Sequence, residues 1–189
     1  MVTAGTPFMI MYLFETLAKA DRLRPLTLPQ EVLEAIPADL AGVALIDPEG
    51  FWCGNVLSGF GFLINKPLLK QAGESDLATW QDLGRPELFD HVAVADPAVS
   101  GSAVMAFEMI LQSAPDWPSG WRDLLSILSN ARQIAGGSDE AADGPLLGRS
   151  TAAICVDFYG TSRAALKPDT LVYVSPQGQT AFTPDPIAI

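Results

Sequence analysis

The sequence predicts a three-layer α/β protein with a mainly parallel sheet, on three observations. Two short apolar runs, "HVAVA" (91–95) and "STAAICVDFYG" (150–160), have the length and composition of buried strands. The first passes through Ser100-Gly101-Ser102 into a helical stretch that reaches about Gln112, and the second passes through Gly160 into another that reaches Leu166. Between them lie further stretches with the 3.6-residue spacing of amphipathic helices, so that strands alternate with helices along the chain.

Taken in order, Thr6-Pro7 reads as an N-cap followed by proline at the first helical position, where its missing N–H costs nothing. Ile10, Leu13, Phe14 and Leu17 fall at i, i+3, i+4 and i+7, which predicts an amphipathic helix over 7–20. Residues 21–50 are proline-rich and read as loop with a short helix near Gln30–Ala35. "FWCGNVLSGFGFLINK" alternates glycine with aromatic and aliphatic residues, which reads as extended chain crossing a tight place. Thr79 and Asp82 form a capping box on a short helix. Trp121, Leu124, Leu125 and Leu128 form one face of a helix in "PSGWRDLLSILSN", and Trp80, Trp117 and Trp121 read as core. Ser138 caps a further helix, with Asp139 and Glu140 suited to its positive end, and Gly144-Pro145 should interrupt it. "TLVYVSP" is the last expected strand.

The 189 residues carry 11 Lys+Arg against 22 Asp+Glu, a net charge of −11 that repels phosphate backbones and anionic lipid. Nucleic acid is therefore not an expected partner, whereas a small anion remains compatible because a cleft is governed by its own amides. No apolar run approaches the ~20 residues of a membrane span. "MVTAGTPFMIMYLF" lacks a basic n-region and a small-residue cleavage site, so no signal peptide is expected in it. Cys53 and Cys155 lack the close spacing of a zinc cluster and read as separate, mostly buried thiols, with a disulfide between them as the alternative. His91 has no ligand-spaced partner and reads as a solvated edge residue. With no G-x-S-x-G, no phosphate-binding lysine loop and no clustered carboxylates, no catalytic set assembles, so an enzyme is not expected and no cofactor is implied.

The order of these pieces resembles the solute-binding proteins of ABC importers, in the branch of ferric-ion, polyamine, thiamine and phosphonate binders. The resemblance rests on "WCGNVLSGFGFLINK", on "TWQDLGRPELFDHVAVADPAVSGSA", on Gly120-Trp121 opening a helix, on "AGGSDEAA" and on "AAICVDFYG". It implies a periplasmic-binding-protein-like two-lobe, three-layer αβα fold with an incomplete first lobe. Residues 1–58 would be part of that lobe, 59–165 a second α/β lobe, and 166–189 a crossing strand returning to the first. Both ends then read as cut from something longer. The resemblance also implies a periplasmic or extracellular location and an ABC permease as partner.

Site candidates follow. Ser100, Gly101 and Ser102 place hydroxyls and free amides at a helix N-terminus beyond a strand's carboxyl end, an arrangement suited to an anion and equally to a plain capped helix. Ser138 opens a second such helix. Asp157 would accept from a ligand hydroxyl or ammonium, or cap the next helix; Tyr159 would hydrogen-bond or stack, or simply pack. Trp52 and Asn55 precede the crossing strand and would line the cleft from the hinge, Trp52 being as readily a core residue; Thr6 is the matching first-lobe contact. Ferric-binding relatives use two adjacent tyrosines where this chain has Phe158-Tyr159, so Tyr159 would be a metal ligand only for ferric iron, and no other metal ligand is expected. The expected function is capture of a small oxygen-rich or anionic solute, an iron chelate among the options, by hinge closure; the alternative is a ligand-sensing regulatory domain of the same fold.

Overall fold

The computed structural model describes residues 9–40 and 42–189. The chain divides into two compact units, one ending at Ser58 and completed by Phe182–Ile189, the other formed by Gly59–Ala181.

In the smaller unit α1 (Met9–Lys19) is helical as its spacing predicts, with Phe14 and Leu17 half-buried and Leu13 exposed. α2 (Gln30–Ala35) falls where the proline-rich loop was expected to hold a short helix, and it buries none of its residues. β1 (Asp39–Leu40) and β2 (Val43–Ala44) form a small antiparallel hairpin in which Gly42 takes φ +82° and donates its N–H to the Asp39 carboxylate. β3 (Trp52–Asn65) is the long glycine-bearing strand, and the boundary between the units falls within it, at Gly59.

The larger unit continues with α3 (Lys66–Gln71), capped by Asn65, whose side chain accepts the Leu68 N–H and donates to Pro145 O. Thr79 and Asp82 close the expected capping box, but on a 3-10 turn (Gln81–Gly84) rather than an α-helix. β4 (Val92–Ala95), α4 (Gly101–Ser113), α5 (Trp117–Ser129), β5 (Ala131–Ala135), α6 (Ser138–Leu146), β6 (Ala152–Val156), α7 (Asp157–Leu166) and β7 (Leu171–Val174) follow, and β8 (Phe182–Ala188) lies in the smaller unit. The run expected to form the returning strand is thus divided: β7 stays in the larger sheet, and the chain leaves that unit only after Ala181. Pro145, expected to interrupt α6, sits in its last turn, and the helix ends one residue later at Leu146.

The main sheet runs β5-β4-β6-β3-β7, with β8 pairing β3 outside that path. β4 is parallel to β5 and to β6, but β3 is antiparallel to both β6 and β7, which corrects the expectation of a mainly parallel sheet. The reason is connectivity. β3 comes directly from the smaller unit rather than through a βαβ crossover, so nothing obliges it to run with its neighbours.

Strand alternation builds two unlike faces. Phe60, Phe62 and Ile64 of β3, Val92 and Val94 of β4, and Ile154 and Val156 of β6 point to one side, where they meet Trp80, Met109, Ile110, Leu124 and Ile127 in the main core. The opposite side carries small residues: Ala93, Ala135 and Ala153 meet Ala141 of α6, and Leu63 and Cys155 meet Ala142. Large side chains under α4 and α5 and small ones under α6 make the three layers. Trp80 is fully buried, set edge-on to Phe62 at 5.7 Å, with its indole N–H donated to Gln179 O at 2.7 Å. Trp117 and Trp121 are not core: they are 54% and 51% exposed. α5 turns Gly120, Leu124 and Ile127 inward instead, because a Cβ on Gly120 would sit only 2.5 Å from Leu111 O. That close approach to α4 sets the helix rotation and carries Trp121 and Leu125 outward. No helix among the described residues is long and apolar enough to cross a membrane.

Candidate functional site

β4, β5 and β6 are parallel, so their carboxyl ends share one edge of the larger unit's sheet. Each strand gives way there to a helix N-terminus: β4 to α4 through the turn at Asp96, β5 to α6 through Gly136-Gly137, and β6 directly to α7. Ligands of open α/β sheets bind at this edge.

The α4 turn is tightly organised. Asp96 N–H donates to Ala135 O, the Asp96 carboxylate accepts the Ala98 N–H, and Ser100 N–H returns to Asp96 O. Ser100 is the N-cap; its hydroxyl accepts the Ala103 N–H at 3.3 Å and lies 3.1 Å from the Ser102 hydroxyl. The Gly101 and Ser102 amides precede the first intrahelical donors and need acceptors from elsewhere. A Cβ on Gly101 would meet nothing within 4 Å, so the fold itself does not demand glycine there. No acidic residue lies in the first turn of α4.

The other two helix starts carry carboxylates of their own. Glu140 accepts the Gly136 N–H at 2.8 Å, and the Asp139 carboxylate lies against Gly137. Ser138, expected as the α6 cap, is instead the first helical residue; Gly137 occupies the cap position, and the buried Ser138 hydroxyl accepts the Val156 N–H at 3.0 Å, tying α6 to the end of β6. Asp157 begins α7, three residues earlier than expected, and its carboxylate accepts the Phe158 N–H and rests beside Gly59. The three ends therefore differ in sign: α4 offers donors, while α6 and α7 offer acceptors.

Ser102 and Ser138 come together, lining with Ala95, Phe107, Ile154 and Cys155 a cavity of about 10 Å³, near the volume one water occupies. Tyr159 is half-buried, its ring tilted against Phe158 at 4.0 Å and beneath the Arg163 guanidinium at 5.4 Å, and Arg163 is held by Asp143 at 3.0 Å. The remaining candidates belong to the smaller unit. Asn55 is exposed in a shallow cavity with Ile36, Leu45 and Gly54. Trp52 is only 3% exposed, which leaves no ring face for a ligand and corrects its reading as an aromatic wall. Thr6 lies outside the described residues.

Tyr173 is the residue that sequence reasoning missed. Its ring lies over Gly61 and Gly160, where a Cβ on either would collide with it, and its hydroxyl is buried without a partner. Burial, reinforced by the nearby Cys155 and Asp157, pushes that hydroxyl well above the usual phenol range. It is a protonated donor beside Asp157 rather than a phenolate. The alternation of "LVYV" places Tyr173 on the face of Leu171, but nothing local announces the two glycines that receive it. His91, expected to be solvated, is half-buried, with Nδ1 at 2.7 Å from Thr151 Oγ1. Among the described residues no group of three or more His, Cys, Asp or Glu is placed to hold a metal ion.

No family model matches the chain. Among curated proteins it is similar to the phosphoglycerate transport regulatory protein PgtC of Salmonella typhimurium (strain LT2), 33% identical over 103 residues, which are 54% of this chain and 26% of the relative. Among solved structures it is similar to the periplasmic binding protein AfuA from Actinobacillus pleuropneumoniae, described with exogenous fructose-6-phosphate bound (TM-score 0.75, 19% identity, 92% of this chain and 53% of that one). It is also similar to the ferric iron-binding protein A of Mannheimia haemolytica in an open conformation (TM-score 0.63, 15% identity, 95% and 56%). The fold is the two-lobe, three-layer α/β fold of the periplasmic binding proteins, and the chain spans about half the length of these structures.

Proposed function

We propose that the chain belongs to the solute-binding component of an ABC import system, periplasmic or extracellular, and that its solute carries an anionic group together with hydroxyls. The observation that carries this reading is the difference in sign among the three helix starts. An anion is favoured at Ser100-Gly101-Ser102, where amides and hydroxyls converge and the first turn of the helix carries no carboxylate, the Asp96 carboxylate of the preceding turn being engaged by the Ala98 N–H. It is disfavoured at α6 and α7, where Glu140, Asp139 and Asp157 already stand and would accept from ligand hydroxyls instead. A phosphorylated sugar or polyol has both kinds of group. The phosphoglycerate in PgtC's name and the fructose-6-phosphate bound to AfuA lie in the same chemical class. Directly ligated ferric iron fits less well, since Tyr159 has phenylalanine beside it and offers a single phenol where two would be needed. Ser138, Tyr159 and Asn55 complete the proposed contacts, and capture proceeds by closure about the strands at 58–59 and 181–182, the closed form docking on a membrane permease.

Thermal-shift measurements with sugar phosphates, phosphoglycerate, iron chelates, polyamines and thiamine test the proposal. Stabilisation should grow with ligand excess and be largest for the phosphorylated polyols. Ser102→Ala should reduce it, whereas a preference for polyamines would reverse the assignment. The word "regulatory" in the PgtC description favours a second reading, in which the same domain senses the solute and signals to another protein. Binding of the solute-loaded protein to a signalling partner rather than a permease distinguishes the two.

A further inference from the structure

β4, β5 and β6 begin at the opposite edge of the sheet, and an open cavity of about 540 Å³ lies there, lined by Leu68, His91, Arg132, Gln133, Arg149 and Ser150. His91 precedes β4, Arg132 and Gln133 lie at the start of β5, and Arg149 and Ser150 follow the turn at Gly148 (φ +70°) that leads into β6. In a chain with twice as many acids as Lys and Arg, two arginines and the only histidine gather at one opening. Arg149 is exposed and makes no ion pair among the described residues. Arg132 meets Asp90 at 2.7 Å, but both side chains are more than half exposed, and such a pair is weak and screened by solvent. It leaves the rest of the guanidinium fork free. His91 is oriented through Nδ1 by Thr151, which leaves Nε2 as the nitrogen for a ligand. Ser150 adds a buried hydroxyl without a partner, packed against Gly144.

We propose that this cavity is a second binding site, for a small molecule bearing phosphoryl or carboxylate oxygens, gripped by Arg149 and Arg132 with Gln133 and His91 beside them. Planar guanidinium forks match such oxygens bidentately. The cavity falls within the size range of small-molecule sites, with more room than a bare ion needs. It lies at the strand edge away from Ser100, Ser138 and Asp157, so the proposal stands or falls independently of the solute reading above.

Amide NMR titrations of the 189-residue chain at constant ionic strength, with inorganic phosphate, glycerol phosphate, citrate and chloride, test it. The expected result is saturable shifts centred on residues 132–133 and 148–150, absent with chloride. Arg149→Gln should weaken binding about tenfold. Arg149→Lys should keep part of it, and Arg22→Gln, which removes the same charge in the smaller unit, should leave it unchanged. Either order of affinity between phosphate and glycerol phosphate sustains the site, identifying its occupant as the free ion or a phosphorylated metabolite. Shifts that fail to saturate, that chloride reproduces, or that Arg149→Gln does not alter would overturn the proposal.

Discussion

Ser102 and Ser138 line one small cavity, yet their hydroxyls have different duties, and substitution should separate them. The Ser138 hydroxyl is the acceptor for a buried strand-end N–H. Ser138→Ala strands that donor and should cost about 1–3 kcal/mol, read as a lower urea midpoint. The Ser102 hydroxyl meets only Ser100 Oγ. Ser102→Ala should therefore stay within about 0.5 kcal/mol of the parent while losing ligand-induced stabilisation, and a large loss of stability in the free protein would contradict this assignment. Both serines were visible in the sequence as small polar residues opening helices. Their separate duties were not, because Val156, which claims Ser138, lies 18 residues away and arrives only through the sheet. Tyr173 was hidden for the same reason: its partners are absences of side chain at Gly61 and Gly160, brought beneath it by strand register and by α7.

At the scale of elements, the turn that carries Asp82 has a definite pH dependence. Burial opposes ionisation of Asp82, but the Ala78 and Thr79 amides, the Thr79 hydroxyl and Arg85 outweigh it and hold the carboxyl below its ordinary range. A group whose folded pKa is depressed contributes stability above its unfolded value and loses it as pH falls through the folded one. Asp82→Asn should thus be less stable than the parent at pH 7, with the gap closing below about pH 4; a gap independent of pH would refute the assignment. Helix α5 gives a second test. Alanine is a better helix former than glycine by about 1 kcal/mol. At Gly120, however, its Cβ would lie 2.5 Å from Leu111 O and 2.9 Å from Leu111 Cα, backbone atoms that cannot rotate away. Gly120→Ala should lower the melting temperature, with a net cost of about 1–3 kcal/mol. The same glycine explains why sequence periodicity misplaced the α5 face: hydrophobicity ranks Trp121 above Gly120, while close packing of α4 on α5 ranks them the other way. β8 contains Pro184 and Pro186, which a strand at the edge of a sheet tolerates where no ladder donor is required.

At the scale of the whole molecule, the alternation of strands and helices was legible because it follows from local patterning, and so was the placing of Ser100 and Asp157 where a strand gives way to a helix. The reversal of β3 and the split between β7 and β8 depend on which unit a segment joins, and that is decided by packing. The two units also differ in substance. Among the described residues the smaller unit buries few apolar side chains, those of Leu45, Trp52, Cys53 and Pro184, and its helix α2 buries none. The larger unit holds the remaining core, with Cys155 inside it. Since regions with few buried contacts open at lower free energy, the two free cysteines report on the two units separately. Burial pushes the Cys155 thiol up to about 12, so in the folded larger unit it is both covered and un-ionised and should react only on opening. Pulsed thiol labelling across a urea series should then show Cys53 reacting at lower urea than Cys155; coincident transitions would mean that the units unfold as one. A solute gripped by the larger unit alone should raise the Cys155 midpoint and leave that of Cys53 in place, whereas a solute that engages both units must raise the two together.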